Sequence, residues 1–430
     1  MFKLKNFIYI WFAALFIVYL ASPIEASAQT LDIKAESAII VDANTGQILY
    51  AKNENEALPP ASMTKMMTEY IVLEKVANGE ISWDDKTEIS DFVYEISGND
   101  SFSGIGLRKN VEYSIKDLFD AMVINSDNAT TIALAEYIAG SEGEFVKLMN
   151  QKAEELGLSD YKFVNSTGLD NASLNGKHPE GTNPDDTNLL SAKSTAQLAY
   201  RLINDYPESL ETSKIPQKQF EDQTILNWNW MLPHDREYLK EFYYEGVDGL
   251  KTGHTELAKY AFTSTAKRGD ERLITVVMKA DSIEERFKET AKLLDYGFDQ
   301  FETVELFPKG FKKEGESTVP VEKGKAEQVE VELAEPLNFK IKKGTNEDYD
   351  IQFVIDEDKL NENGALEAPI EKGEKIGVAK LVYNDSTAFP FITDDKKEIT
   401  VDLVAAETVE KKNWFSLMIS AIVDFFKDLF

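Results

Sequence analysis

The 430 residues, 43% hydrophobic and 11% aromatic, can fill two or three cored domains and exclude a mostly disordered chain. A formal charge of −30 lacks the basic footprint that phosphate neutralisation needs, which argues against a nucleic-acid partner; on a membrane, apolar burial rather than charge must hold the chain. No cysteine is present, only three histidines and no HExxH, so disulfides, a thiol nucleophile and Cys-ligated zinc are excluded and no zinc-peptidase signature exists.

Lys3 and Lys5 precede an apolar run at 7–21, then Pro23 and Ala26-Ser27-Ala28. This pattern reads as a secretory signal peptide over 1–28, cleaved after Ala28; an uncleaved anchor is the alternative, and either places the body outside the cytoplasm. Residues 38–41 and 47–50 flank Asp42-Ala43-Asn44-Thr45-Gly46 as a β-hairpin. Beyond Pro59-Pro60, residues 62–76 predict a helix. Ser114 caps a helix through Ile124, 129–139 is a second, and Ser141 with Glu144 makes the capping box of a third ending near Gly157. Residues 259–266 and 272–278 form a hairpin around Arg268-Gly269-Asp270. A helix over 282–296 follows, with Gly297 expected as its C-cap. The expected class is α+β: an antiparallel sheet with flanking helices and a helical subdomain, over 29–300.

The character changes near 301. Short β-branched runs at 319–331, 339–342, 349–355, 375–383 and 398–404 predict a small all-β domain, a sandwich, over 301–405. Residues 406–430 are expected to form a C-terminal amphipathic helix. Asn413, Ser416, Ser420, Asp424 and Lys427 make one narrow polar stripe, and apolar side chains cover the rest. Such a helix lies in a membrane interface, and Asp424, Lys427 and Asp428 count against a span. Packing on the chain's own core is the alternative.

Short motifs need context. Ser-x-x-Lys occurs at Ser62/Lys65, Ser159/Lys162 and Ser264/Lys267; Ser-x-Asn at Ser97/Asn99, Ser126/Asn128 and Ser173/Asn175; Lys-Thr-Gly once, at 251–253. Ser62 opens a helix and Lys65 lies one turn on, so the two share a face beside the free N–H groups of a helix N-terminus. Ser264 and Lys267 fall on a predicted strand and face opposite ways, and Ser159/Lys162 falls in a loop. Ser126-Asp127-Asn128 breaks two apolar helical stretches, a place that can aim polar groups into a cleft or simply cap a helix.

Ser-x-x-Lys, Ser-Asp-Asn and Lys-Thr-Gly follow one another in the order of the penicillin-recognising serine enzymes. The stretches 60–68, 165–170 and 246–255 resemble serine-type D-alanyl-D-alanine carboxypeptidases, the low-molecular-mass penicillin-binding proteins, over about residues 35–301. The β domain and terminal helix match that family's layout. The resemblance implies a penicillin-binding/β-lactamase-like fold and an exported hydrolase at the outer face of the membrane or in the wall. Its implied reaction removes the terminal D-alanine of peptidoglycan stem peptides through an acyl-enzyme, needs no cofactor or metal, and is blocked by β-lactams. Ser62 would be the nucleophile and needs a base. Lys65 serves once burial or a nearby cation lowers its pKa, Lys251 being that cation. The resemblance makes Ser126 the proton relay and Asn128 the residue holding the substrate peptide. It assigns the terminal carboxylate to Thr252, beside Gly253, and the oxyanion hole to the N–H groups of Ser62 and His254. Arg286 would sit near the carboxylate pocket, a surface ion pair with Glu284 or Glu289 being the alternative. Gly104 and Gly106 lie in a loop that borders the cleft or simply turns. A β-lactamase shares the motifs, and a non-catalytic wall-binding scaffold is the rival of another class.

Overall fold

The computed structural model describes residues 31–384, 386, 389–393, 398–415 and 418. The expected signal peptide, and 416–417 and 419–430 of the expected terminal helix, lie outside them.

Strands β1 (Ser37–Asp42) and β2 (Ile48–Lys52) form the first hairpin. Far along the chain, β3 (Val247–Thr255), β4 (Lys259–Arg268) and β5 (Glu271–Ala280) complete a five-stranded antiparallel sheet ordered β2-β1-β5-β4-β3. Ile39 lies opposite Val276, so the two ends of this region are one element. Strand alternation gives the sheet two apolar faces. Ile39, Val41, Ile274 and Val276 join a core built with helices from the middle of the chain, while Ile40 and Leu273 turn to the other side.

The helices are α1 (Lys65–Ala77), α2 (Ile115–Asn125), α3 (Asn128–Ala139), α4 (Glu142–Glu155), α5 (Ala192–Asp205) and α6 (Ile283–Gln300). Their starts are fixed locally. The side-chain oxygens of Ser114, Asp127, Ser141, Ser191 and Ser282 accept from the N–H three residues on, each worth about 1 kcal/mol. The expected capping box at Ser141 is half formed, because Glu144 turns to Lys147 at 2.7 Å. Lys65 through Leu73 are all buried, so α1 is a central helix that α2, α3, α4 and α5 surround rather than a surface helix with one apolar stripe.

Gly297 is not the expected C-cap. It lies inside α6, which runs on to Gln300. A Cβ there would stand 2.5 Å from Leu273 Cδ1 and 3.4 Å from Ile40 Cγ2. The glycine lets the helix axis settle onto the sheet, a packing reason that looks in sequence like a stop signal.

Beyond residue 300, a second core gathers around Val329, Val331, Leu381 and Leu403. Strands β6 (Phe301–Phe307), β7 (Thr318–Glu322), β8 (Gln328–Leu333), β9 (Leu337–Lys342), β10 (Tyr349–Ile355), β11 (Leu366–Glu367), β12 (Lys375–Tyr383) and β13 (Thr400–Ala405) make it all-β. The order is β10-β12-β13-β8-β7-β11, with β6 and β9 paired beside it. The run 319–331 is two strands, β7 and β8, turning through Lys323 at φ 58°.

The β1–β2 turn meets this second region. Ile48 N–H donates to the Pro390 carbonyl at 2.8 Å, and Ile392 N–H to that of Gly46 at 3.0 Å. Lys340 Nζ lies 2.8 Å from Asp42 Oδ2, their side chains 4% and 2% exposed, and Glu271 approaches at 3.3 Å. At that burial, removing Lys340 leaves the Asp42 carboxylate with its Asn44 and Thr45 donors but without its cation. Lys340→Ala is therefore expected to lower stability by about 3 kcal/mol, read as an earlier urea transition of the full chain. Lys340→Met, which keeps the stem, should lose nearly as much; a change within about 0.5 kcal/mol for both would contradict this role.

Candidate active site

Pro60 does not lead directly into α1. Residues 61–64 instead form a 3-10 turn, Ala61–Thr64, with Ala61 at φ 48°. That left-handed conformation is strained for alanine and is held by neighbours on two sides. Gly168 packs so closely that a Cβ on it would fall 1.8 Å from the Ala61 carbonyl oxygen, and its φ of 86° suits only glycine. Gly253 of β3 presses from the sheet, where a Cβ would stand 2.5 Å from the Pro60 carbonyl oxygen. Ser62 ends up half-buried at the surface of this turn, while Lys65 is 1% exposed at the start of α1.

Lys65 Nζ has three partners: Ser62 Oγ at 3.0 Å, Asn128 Oδ1 at 2.8 Å and the Thr167 carbonyl at 2.8 Å. Two of these can only accept. A neutral amine satisfies them with its two N–H groups, which leaves its lone pair for the one partner that carries a proton to give, the Ser62 hydroxyl. The electrostatics favour that neutral form. Burial holds the Lys65 pKa well below the usual lysine range, and the neighbouring Lys251 lowers it further, against a smaller pull from Asp127 and Glu142.

Ser126 does not cap the following helix. It is the C-cap of α2, at φ 62° in the left-handed region, and Asp127 caps α3 by accepting from Thr130 N–H. This one-residue break turns the chain so that Asn128 reaches Lys65. Asn128 Nδ2 donates to the Ser103 carbonyl at 3.1 Å, so both ends of its amide are engaged within the protein. Asp127 Oδ2 accepts from Ile105 N–H at 2.7 Å. The loop of Gly104 and Gly106 is thereby fastened directly to the Ser-Asp-Asn segment.

Lys251 and Thr252 are buried on β3, and Lys251 Nζ reaches only the Thr252 carbonyl, at 3.3 Å. Burial, with Arg286 adding to it, lowers the Lys251 pKa to about 7, while Glu69 pulls the other way. Glu69 itself is pushed up to about 8 by burial, and its Oε1 has no hydrogen-bond partner. Arg286 is buried, not a surface ion-pair partner of Glu284 or Glu289. Its Nη1 donates to the Gly253 carbonyl at 3.2 Å, its Nε is unpartnered, and its plane lies 4.7 Å from the Phe287 ring centroid. Burial lowers its pKa to about 9, which leaves it charged at neutral pH. Glu289 pairs with Lys292 instead, at 2.6 Å. Two basic side chains thus flank the end of β3, and among the described residues no carboxylate is bonded to either. His254 follows on the same strand; its ring is exposed, bonded to the Lys259 carbonyl at 2.9 Å and stacked on Tyr260.

Several members of this cluster were not singled out in the sequence. Thr167 contributes a carbonyl, which no motif reports. Glu142 looks like a first-turn helix acid, yet it is buried and accepts from Ser166 N–H at 2.9 Å and Ser166 Oγ at 2.6 Å. Glu69 carried a usable signal: it is a charge four residues after Lys65 inside an otherwise buried helix. The other Ser-x-x-Lys pairs stay apart from this cluster. Ser264 is buried and Lys267 exposed on β4, and Lys162 pairs with Asp186 at 2.6 Å.

Comparison with known proteins agrees with this geometry. The family described as D-alanyl-D-alanine carboxypeptidase, Peptidase_S11, matches residues 24–282, and the C-terminal domain of penicillin-binding protein 5 matches 301–411. D-alanyl-D-alanine carboxypeptidase DacF of Bacillus subtilis is 35% identical over 348 residues, 81% of each chain. A peptidoglycan synthesis regulatory factor (PBP3) from Streptococcus pneumoniae superposes with a TM-score of 0.68 at 33% identity, over 88% of this chain and 99% of that one. Penicillin-binding protein D2 of Listeria monocytogenes in its cefotaxime-bound form does so with 0.53 at 31% identity, over 63% and 99%. With Ser62, Lys65, Asn128 and Lys251 assembled as described, the chain belongs to the serine-type D-alanyl-D-alanine carboxypeptidases, the low-molecular-mass penicillin-binding proteins.

Proposed function

We propose that Ser62 is the nucleophile with which this carboxypeptidase removes the terminal D-alanine of peptidoglycan stem peptides. The observation that carries this reading is the partner set of Lys65, in which Ser62 Oγ is the one group able to donate to a neutral amine. Lys65 takes the hydroxyl proton as Oγ attacks the carbonyl carbon of the penultimate D-alanine. The N–H groups of Ser62 and His254 hold the oxyanion. Collapse breaks the C–N bond, and the proton passes to the leaving amine by way of Ser126. Water then attacks the acyl-enzyme, returning Ser62 and releasing the trimmed stem. Lys251, Thr252 and Arg286, beside Gly253, bind the substrate's terminal carboxylate. Asn128 positions Lys65 and exchanges one of its internal bonds for the substrate peptide.

The Listeria relative, solved in cefotaxime-bound and ampicillin-bound forms, supports β-lactam binding by this chain. Measuring D-alanine release from an N-acetylated D-Ala-D-Ala stem peptide beside benzylpenicillin turnover tests the activity. Release with a slow, persistent penicillin adduct is expected; fast penicillin hydrolysis without release would make the enzyme a β-lactamase. Gly168→Ala should slow acylation by benzylpenicillin about 100-fold in protein whose circular dichroism is unchanged, because the Ala61–Ser62 turn must shift by an ångström or more. An unaltered acylation rate would contradict the role given to that contact.

The remaining organisation belongs to the same reading. Residues 1–28 are a cleaved export signal, 29–300 the catalytic domain and 301–405 the β domain. The expected anchor does not begin at 406, because 406–413 are non-helical, Val409 is buried in the second core and Lys411 bridges to Gly324. The membrane anchor on the outer face is the segment from 414 on. The terminal side chains within the described residues suit this: Trp414, Phe415 and Met418 are 75%, 54% and 45% exposed. No helix among the described residues is long and apolar enough to cross a membrane.

A further inference from the structure

A cavity of about 310 Å³ opens beside the Ser-Asp-Asn segment. One wall is the Gly104–Ile105 loop and Asn125; the other is the strand Gln223–Leu226 and the segment from Trp228 to Tyr238. Its walls are tied to the catalytic cluster. Ile105 N–H binds Asp127, Gln223 Nε2 donates to the Ile105 carbonyl, and Trp228 Nε1 donates to the Asn125 carbonyl at 2.9 Å. Asn125 is one residue from Ser126 and three from Asn128, so one wall of the cavity is carried by the segment that carries the Ser-Asp-Asn group.

The charge of the lining is unlike that of the chain. In a protein of net charge −30, no aspartate or glutamate among the described residues lines this cavity, whereas Arg236 and His234 do. Arg236 makes no ion pair among the described residues; its Nη1 donates only to Tyr238 Oη, at 2.9 Å. Of its two acidic chain neighbours, Glu237 is taken by Lys240, at 2.5 Å, and Asp235 is not part of the cavity lining. His234 Nε2 lies 2.7 Å from the Asn229 carbonyl, which only accepts, so that nitrogen carries the proton and Nδ1 remains an acceptor. Trp228 and Tyr238 are 43% and 59% exposed beside these groups. An unpaired guanidinium, a ring acceptor and exposed aromatic surface fit an aliphatic side chain that ends in both a carboxylate and an ammonium.

We infer that this cavity is the subsite for the stem-peptide residue preceding D-Ala-D-Ala, and that it selects a diamino dicarboxylic acid with a free side-chain carboxylate over its amide or over lysine. The inference rests on the carboxypeptidase reading, since the cavity walls are bonded to the Ser-Asp-Asn segment of that site. Arg236 takes the carboxylate, His234 accepts from the ammonium, and the aromatic pair covers the methylene chain.

The test uses the purified full chain and three pentapeptides that differ only at the third residue: diaminopimelate, its side-chain amide, and lysine. D-alanine release should show kcat/KM about ten-fold higher for the free acid than for either other peptide, the difference lying in KM. In Arg236→Gln that ratio should fall to about one, and Arg236→Lys, which keeps the charge without the fork, should restore part of it. Equal kcat/KM for all three peptides in the unaltered protein, or a ten-fold preference that survives in Arg236→Gln, would overturn the subsite while leaving the carboxypeptidase reading intact. No D-alanine release from any peptide would overturn both.

Discussion

Replacing Ser62 by alanine is expected to reduce D-alanine release by about 10⁴-fold or more, with the stem peptide still bound. The substitution removes only Oγ from a half-buried turn whose shape is fixed by Gly168 and Gly253, so the fold should survive it. Lys65 loses one of three partners and keeps its bonds to Asn128 and the Thr167 carbonyl. The end of β3 proposed to bind the carboxylate is untouched. Loss of turnover with retained affinity, measured by coupled D-alanine assay and by titration of the peptide, is therefore the expected pair of results. Residual release above about 1% of the starting rate would mean that another group attacks the carbonyl.

Lys65→Arg should be nearly as damaging, by about 10³-fold in kcat/KM, although it conserves charge. A guanidinium offers five N–H donors and no usable lone pair, so it can satisfy Asn128 and the Thr167 carbonyl but cannot receive a proton from Ser62. The pH dependence separates the two enzymes. In the unaltered protein burial and Lys251 hold the Lys65 pKa below its ordinary 10.5. As pH falls through that lowered value the amine is protonated and the base is lost. As pH rises through it, kcat/KM climbs and levels well below 10.5. The arginine variant stays protonated throughout, so raising the pH should not rescue it. Recovery at alkaline pH, or more than a tenth of the original activity at neutral pH, would remove Lys65 from the role of base.

Much of this arrangement was legible in the chain because it is local. The Ser114 and Ser141 caps, the helix starting at Ser282, the hairpin around Gly269 and the β-rich character after 300 depend on residues within a few positions of one another. Ser62 and Lys65 likewise share a turn. What stayed hidden depends on distant packing. Gly297 reads as a helix stop until Leu273 and Ile40 are seen to occupy the space a Cβ would need. Ser126 reads as an N-cap, the position serine favours; its left-handed conformation at the end of α2, which residue type would assign to Gly or Asn, is visible only in the fold. Arg286 was open between a surface ion pair and the pocket, and only its burial against Phe287 and Gly253 separates the two. The Thr167 carbonyl could not have been found at all, because a backbone acceptor leaves no trace in residue identity.

The assignment of Ser62 as the acylated residue is tested most directly by peptide mapping of the full chain after brief exposure to benzylpenicillin. A penicilloyl adduct on the peptide containing Ser62, absent from Ser62→Ala, is the predicted result. An adduct on Ser126 or elsewhere, or one that persists in Ser62→Ala, would contradict it.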